Sequence, residues 1–533
     1  MVTPKFILFW FLLAAISSSI TISWAESKTG FEADVTTHEC RFTRYPTLCH
    51  QTLKGIPFVH FLSALVNTTI SETKLPASSF EILSSNSISP DAQLVRTAMD
   101  YCHQLMEMSQ KTLNEALEAL KKSPEKHKVD IQTWLSAALT YQQACKDSVL
   151  DHVTTYMFMA EIHKQMDYLS ELGSNSLALA NRITENSIKK YPTGRRVLEH
   201  KNFPRWVSAT DRKLLQGTEA FKANAVVAKD GSGNFKTITE AVQAAKGSRY
   251  VIYVKAGVYN EKINCDKDGV TLIGDGKYST VITGSGSAAE GSSLRGTATF
   301  TITGNGFIAK DIRFQNTAGP DGQQAVALLV ASDHSVLYRC SIAGYQDTLY
   351  ALSLRQFYRE CDICGTIDFI FGNAAAVFQS CTIILRRPRP GGAYNVILAN
   401  GRTDPGQNTG FSLQNCKITI GSDFSPVKSS YKSYLGRPWK EYSRAVLIQS
   451  NIDGAISSPG WVEWPGASGT TYKTLYFAEY GNMGPGAGTS GRVKWDGFRV
   501  IATAEATKFT VANFIDGNSW LPSAGVTFIS GLQ

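Results

Sequence analysis

Between residues 90 and 150 apolar residues recur at steps of three and four. Leu94, Ala98, Cys102, Leu105 and Met108 make one stripe, and Ile131, Trp134, Ala138, Tyr141 and Cys145 make another. That spacing puts each set on one helix face, which predicts two amphipathic helices burying their stripes in an antiparallel bundle. Cys102 and Cys145 both lie on these stripes, which allows a bridge between the helices. Past about residue 223 the helical period is gone and short apolar runs repeat instead. The segments 308–314, 336–342, 357–363 and 377–383 align, with 412–418 as a looser fifth unit, at offsets of 28, 21, 20 and 35 residues. Each places an apolar residue two positions beyond Ile312, Cys340, Cys361, Cys381 or Cys416. Coils of roughly this length, closed by Gly and Asn turns, predict a parallel β-helix with a core ladder of like residues. A sandwich or barrel is the alternative, but hairpin turns between alternating strands are scarce.

Glycine marks the same boundary. Of 43 glycines only Gly30, Gly55, Gly173 and Gly194 precede residue 216. Helix interiors exclude glycine and tight turns demand it, so the two halves differ in secondary structure. Between them, Lys189, Lys190, Arg195, Arg196, Arg212 and Lys213 punctuate a stretch with prolines and no period, the pattern of an exposed, protease-accessible linker. At the start, Lys5 precedes an apolar run from Phe6 to Ile16 and the small-residue pattern Ser23-Trp24-Ala25, the shape of a secretory signal peptide. The run is shorter than the ~20 apolar residues that span a bilayer. The expected division is therefore a signal peptide over 1–25, a helical domain over 26–187, a basic linker over 188–222 and a β domain over 223–533. A mature chain of this kind is expected to be secreted and free of the membrane.

Export makes the ten cysteines disulfide candidates, Cys40 and Cys49 among them, and makes Asn67-Thr68-Thr69 a permissive glycosylation sequon. The cysteines stacked in the repeat can equally serve as core hydrophobes. No paired CxxC motif supports zinc, and no cofactor is implied. The net charge of +8 is mild and its Lys and Arg residues are scattered, which argues against nucleic acid.

Of nine histidines, eight lie at or before His200, leaving His334 alone in the β half. No GxSxG elbow accompanies it, so a Ser-His-Asp triad is excluded. Chemistry in this half has to come from carboxylates supported by amides and arginine. Asp347 in Gln346-Asp347-Thr348-Leu349-Tyr350 and Asp368 in Asp368-Phe369-Ile370-Phe371-Gly372 are 21 residues apart, about one coil. They are thus expected on adjacent rungs of one face. Asp368 lies in an apolar run, where an unpaired carboxylate is costly, and Arg437 in Leu435-Gly436-Arg437-Pro438-Trp439 is its candidate partner. Either aspartate alone reads as an ordinary turn residue.

These motifs, with Gly257-Val258-Tyr259-Asn260-Glu261 and Gln324-Ala325-Val326-Ala327-Leu328, resemble the plant pectin methylesterases in order and over roughly 300 residues. The helical half, with its Cys40-to-Cys49 loop, resembles the pectin methylesterase inhibitor domain that serves as a pro-region in this family. The resemblance implies a four-helix-bundle pro-domain followed by a right-handed parallel β-helix. It implies that Asp368 is the nucleophile on the galacturonate methyl ester, and that Asp347 protonates methanol and then activates water. Gln324 and Gln346 become oxyanion donors, and Arg437 the residue that keeps Asp368 ionised. Tyr350, Phe371, Trp439 and Trp461 match aromatics of the sugar cleft, Gln324 and Arg437 also touching substrate. Cys361 and Cys381 match a family disulfide, and Arg212-Lys213-Leu214-Leu215 a processing site. Leu294-Arg295 stands where the family usually has a substrate-contacting Thr-Phe pair. The implied partners are methylated pectin in the cell wall and an inhibitor domain, its own or a separate one. Two other readings remain: a β-helix pectate lyase, and a catalytically silent wall-binding or inhibitor protein.

Overall fold

The structure, a computed structural model, describes residues 35–74, 90–150, 157–183 and 223–533. The expected signal peptide and the basic linker with Arg212-Lys213-Leu214-Leu215 lie outside these residues.

Among the described residues of the first half, the main helices are α1 (Pro46–Leu53), α2 (Phe61–Glu72), α3 (Pro90–Lys122), α4 (Lys128–Leu150) and α5 (Met157–Asn181). Helices α2, α3, α4 and α5 pack as a closed ring, α3 on α4, α4 on α5, α5 on α2 and α2 on α3. This is the four-helix bundle that the family resemblance implies, with the two striped helices as α3 and α4. Cys102 and Cys145 join α3 to α4, and Cys40 and Cys49 close a short loop at the start. Asn67 is exposed on α2, while the sequon's Thr69 is buried and donates to the Leu65 carbonyl. No helix among the described residues is long and apolar enough to cross a membrane.

The second half coils into three parallel sheets of 11, 7 and 8 strands, each strand pairing with its equivalent one coil away. The repeat read from sequence sets the register. Ile308, Val336, Phe357, Val377 and Ser412 align in the largest sheet, and Phe314, Ile342, Ile363, Ile383 and Ile418 in the 8-stranded one. Between the two sheets each coil bends at a single residue with positive φ: Asp311, Arg339, Glu360, Ser380, Asn415 and Gln449, with φ from 50° to 57°. Such a bend is costly for a side chain other than glycine, and it persists because the stacked neighbours over-determine it.

The residue after each bend points into the core, which is where Cys340, Cys361, Cys381 and Cys416 fall. This corrects the expected Cys361–Cys381 disulfide: both thiols are free. Each Sγ turns to a main-chain carbonyl of the preceding coil, Cys361 to Leu337 at 3.3 Å and Cys381 to Tyr358 at 3.4 Å. Burial in the ladder satisfies them as small hydrophobes rather than as cross-links. His334, the one histidine of this half, occupies a positive-φ turn (φ 55°) and stacks on Trp520 at 4.8 Å.

The 7-stranded sheet carries the site. Its strands are β1 (Ile263–Cys265), β2 (Phe300–Ile302), β3 (Leu328–Ala331), β4 (Leu349–Ser353), β5 (Ile370–Gly372), β6 (Asn395–Asn400) and β7 (Ser433–Pro438). Close approach between coils fixes the turns that enter it. A Cβ on Gly365 would lie 2.2 Å from the Phe369 Cβ and 2.6 Å from the Tyr345 carbonyl oxygen. Gly365→Ala is therefore expected to cost about 1–3 kcal/mol by overpacking. Thermal unfolding should show a lowered Tm, together with reduced turnover because the same turn carries Asp368.

Candidate active site

Asp347 and Asp368 each sit two residues before a strand of the site sheet. Leu349 pairs with Ile370, so the two aspartates occupy the same position on adjacent rungs, about 4.8 Å apart along the coil axis. Both adopt positive φ, 59° and 50°. Aspartate tolerates this left-handed turn better than most residues, so the turn and the carboxyl come from one residue type. The Asp347 N–H donates to the Ile367 carbonyl at 3.0 Å, tying one rung to the next.

Arg437 of β7 reaches across Ala399 of β6 to Asp368 as a fork. Nε donates to Oδ1 at 2.8 Å and Nη2 to Oδ2 at 2.5 Å. Nη1 donates to the Tyr394 hydroxyl at 3.0 Å, and the Trp464 ring lies 4.3 Å from the guanidinium. Asp368 is 5% exposed and Asp347 8%. Burial raises both carboxyls above the ordinary range. The charge of Asp368 pushes Asp347 further up, and Arg437 draws Asp368 back through its two hydrogen bonds. One buried guanidinium facing two buried carboxyls favours one carboxylate, on Asp368, and one proton, on Asp347.

The remaining expected residues fall into place unevenly. Gln324 and Gln346 are half-buried on neighbouring coils, the Ala325 N–H donating to the Gln346 carbonyl at 3.2 Å. Tyr350 and Phe371 face outward from β4 and β5 and stack at 4.3 Å, with Trp439 at 6.1 Å from Phe371. Trp461 does not line this cleft. It is 1% exposed, stacks on Phe477 at 4.3 Å inside the coil and donates its indole N–H to Glu479. Its backbone bridges to Gly436, whose missing side chain gives the ring room, so it packs inward. Trp464, three residues on, takes the place beside Arg437 and 6.4 Å from Trp439. Both tryptophans stand in one short segment, Trp461-Val462-Glu463-Trp464, and only the bridge to β7 decides which faces out.

The cleft is covered by the helical half. Tyr101, Cys102, Leu105, Tyr141 and Cys145 share one apolar cluster with Tyr350, Phe371 and Leu352. The contact is also strongly polar, and α4 carries most of it. Asp130 pairs with Arg355 at 2.8 Å, Thr133 and Thr140 accept from Asn408 and Asn373, Tyr141 from Ser353, and Asp147 from Lys440 at 2.7 Å. Asp130, Thr133, Thr140 and Asp147 recur at steps of three and seven, a polar stripe beside the apolar one that carries Tyr141.

A family model described as Pectinesterase matches residues 224–518, and one described as Plant invertase/pectin methylesterase inhibitor matches residues 34–179. A probable pectinesterase/pectinesterase inhibitor 54 of Arabidopsis thaliana is 47% identical over 529 residues, covering 96% of each chain. Pectinesterase 2 of Citrus sinensis is 49% identical over 442 residues, 82% of each chain. Among solved structures, a pectin methylesterase from carrot is 51% identical with a TM-score of 0.58, covering 59% of this chain and all of its own.

The fork gives a pH test. Without Arg437, burial acts alone on Asp368, and its proton stays on to higher pH. Activity that needs the carboxylate is then lost at higher pH, so Arg437→Ala should move the acidic limb of the pH–rate profile upward by at least about one unit. Arg437→Lys should recover little, since a point charge does not replace a fork. An unmoved limb would contradict the pairing.

Proposed function

The chain belongs to the pectinesterase family, and from that premise we propose how its cleft residues work. The protein is a carboxylic ester hydrolase that removes methyl esters from the galacturonate units of pectin, giving pectate and methanol. The matches do not favour the lyase or the silent-protein reading. The observation that carries the mechanism is the buried Asp368, held by the Arg437 fork one rung from Asp347.

Asp368 attacks the ester carbonyl, forming a bond from its Oδ to the acyl carbon and placing negative charge on the carbonyl oxygen. Gln324 and Gln346 donate to that oxygen as neutral groups suited to charge that appears only in transit. The C–O bond to methoxide then breaks while Asp347 gives up its proton, so methanol leaves neutral. Asp347, now a carboxylate, takes a proton from water, which attacks the acyl-enzyme and frees Asp368. Tyr350, Phe371, Trp439 and Trp464 supply flat apolar faces for the sugar rings. Asp368→Asn keeps the volume and removes the nucleophile, so methanol release should fall by at least ~10³-fold in a folded protein. Near-normal turnover would remove Asp368 from this role.

The helical half is a pro-domain that keeps the enzyme silent, because the aromatics that must meet sugar are packed against α3 and α4. Export to the cell wall, with a glycan on Asn67, and cleavage after Leu215 would then release the active β-helix. Tethering holds the cover at an effective concentration of roughly millimolar, so even weak affinity suffices. An uncut chain carrying Arg212→Ala and Lys213→Ala should show a few per cent or less of the released activity, by roughly the ~1.4 kcal/mol-per-tenfold scale of binding. Adding Asp130→Arg sets like charge against Arg355, which is 1% exposed, and should restore activity without cleavage. A fully active uncut parent would contradict the pro-domain role.

A further inference from the structure

Most cations at the cleft are matched with acids from the chain itself. Arg437 has Asp368, Lys440 has Asp147, and Arg355 has Asp333 and Asp130. Arg295 differs. Among the described residues no carboxylate lies within ion-pair distance of its guanidinium, which instead donates through Nη1 to the Gln104 amide oxygen and rests 5.4 Å from the Tyr101 ring centre. Both partners belong to α3, so both depart with the helical half. Partial burial holds the Arg295 guanidinium below its usual range.

Its position ties it to the reacting face. Arg295 lies in the turn that leads into β2, two rungs from β4, so it stands about 10 Å along the coil axis from the rung of Asp347. Leu294 beside it packs in the same apolar cluster as Tyr350, Phe371 and Trp439. Tyr101, which lies against Arg295, packs in the same apolar cluster as Tyr350 on the cleft floor. The group that α3 lays over Arg295 thus lies on the path a polysaccharide would take from Tyr350, a distance that a short oligogalacturonide spans.

We propose that Arg295 is a specificity residue that, once the helical half is gone, binds the carboxylate of an unesterified galacturonate near the reacting ester. The proposal rests on the esterase reading above and adds the state of a neighbouring sugar. A guanidinium fork matches a carboxylate in shape and charge, and a methyl ester offers it neither charge nor a second equivalent acceptor. Each carboxylate that the enzyme makes then becomes a binding determinant for the next cut. The released enzyme works beside existing pectate rather than at random.

The test uses the enzyme released by cleavage after Leu215, residues 216–533. Its central core cluster draws only on residues from Ala225 onward, and the carrot structure, matched over all of its own length, covers only 59% of this chain. Methanol release is followed on pectins of low and high esterification. Wild type should show the higher kcat/KM on the low-ester substrate. Arg295→Gln should lose about tenfold of that kcat/KM, through KM, and lose clearly less on high-ester pectin. Arg295→Lys should keep part of the preference, and salt at about 0.5 M should suppress it in wild type. Equal kcat/KM of wild type and Arg295→Gln on low-ester pectin would overturn the proposal. An equal loss on both substrates would also overturn it, by giving Arg295 a structural role. A processed wild type that releases no methanol from either pectin would overturn the esterase reading itself, a separate result.

Discussion

The site depends on one interaction, the fork from Arg437 to Asp368 inside a cleft that excludes most water. Two carboxyls stand one rung apart, and a single guanidinium, held to Asp368, serves both. In such surroundings both cannot carry charge at modest cost, so the proton and the negative charge are divided between them. That division is what the proposed roles require, one aspartate as nucleophile and one as acid. The rest of the β-helix serves to hold this spacing: each coil stacks in register on the last, and a shift of one residue on either strand would turn a carboxyl away from the other.

The coil register was legible because like residues recur at the inner positions, from Ile312 through Cys416. The two helices carrying Cys102 and Cys145 were legible for the matching reason, a stripe at steps of three and four. What the sequence did not reveal follows from physics that leaves no compositional trace. The bends at Arg339, Glu360, Ser380 and Asn415 use a left-handed conformation with four different side chains, because stacking rather than glycine enforces it. Cys361 and Cys381 recur as core residues do, and recurrence alone does not separate a ladder of thiols from a disulfide. Trp461 and Trp464 differ only in which side of β7 they meet.

The contact between the halves was hidden for another reason. Helix α4 turns Thr133, Thr140 and Asp147 outward, a composition that looks solvated when the helix is considered alone. In the folded chain those residues meet Asn408, Asn373 and Lys440, beside an apolar contact that includes Leu352, Tyr350 and Phe371. A polar, hydrogen-bonded cover of this kind suits the release proposed for it. An oily interface would leave a large apolar patch on each piece after cleavage, whereas these groups return to water at little cost.

The divided charge is the central claim, and the most direct measurement of it reads the two carboxyls themselves. Carbon-13 labelling of aspartate in the processed enzyme, with assignment through Asp347→Asn and Asp368→Asn, allows both to be titrated by NMR or isotope-edited infrared spectroscopy. The account predicts that near neutral pH Asp347 remains protonated while Asp368 is a carboxylate. Two carboxyls that both ionise in the ordinary range near pH 4, independently of each other, would contradict it.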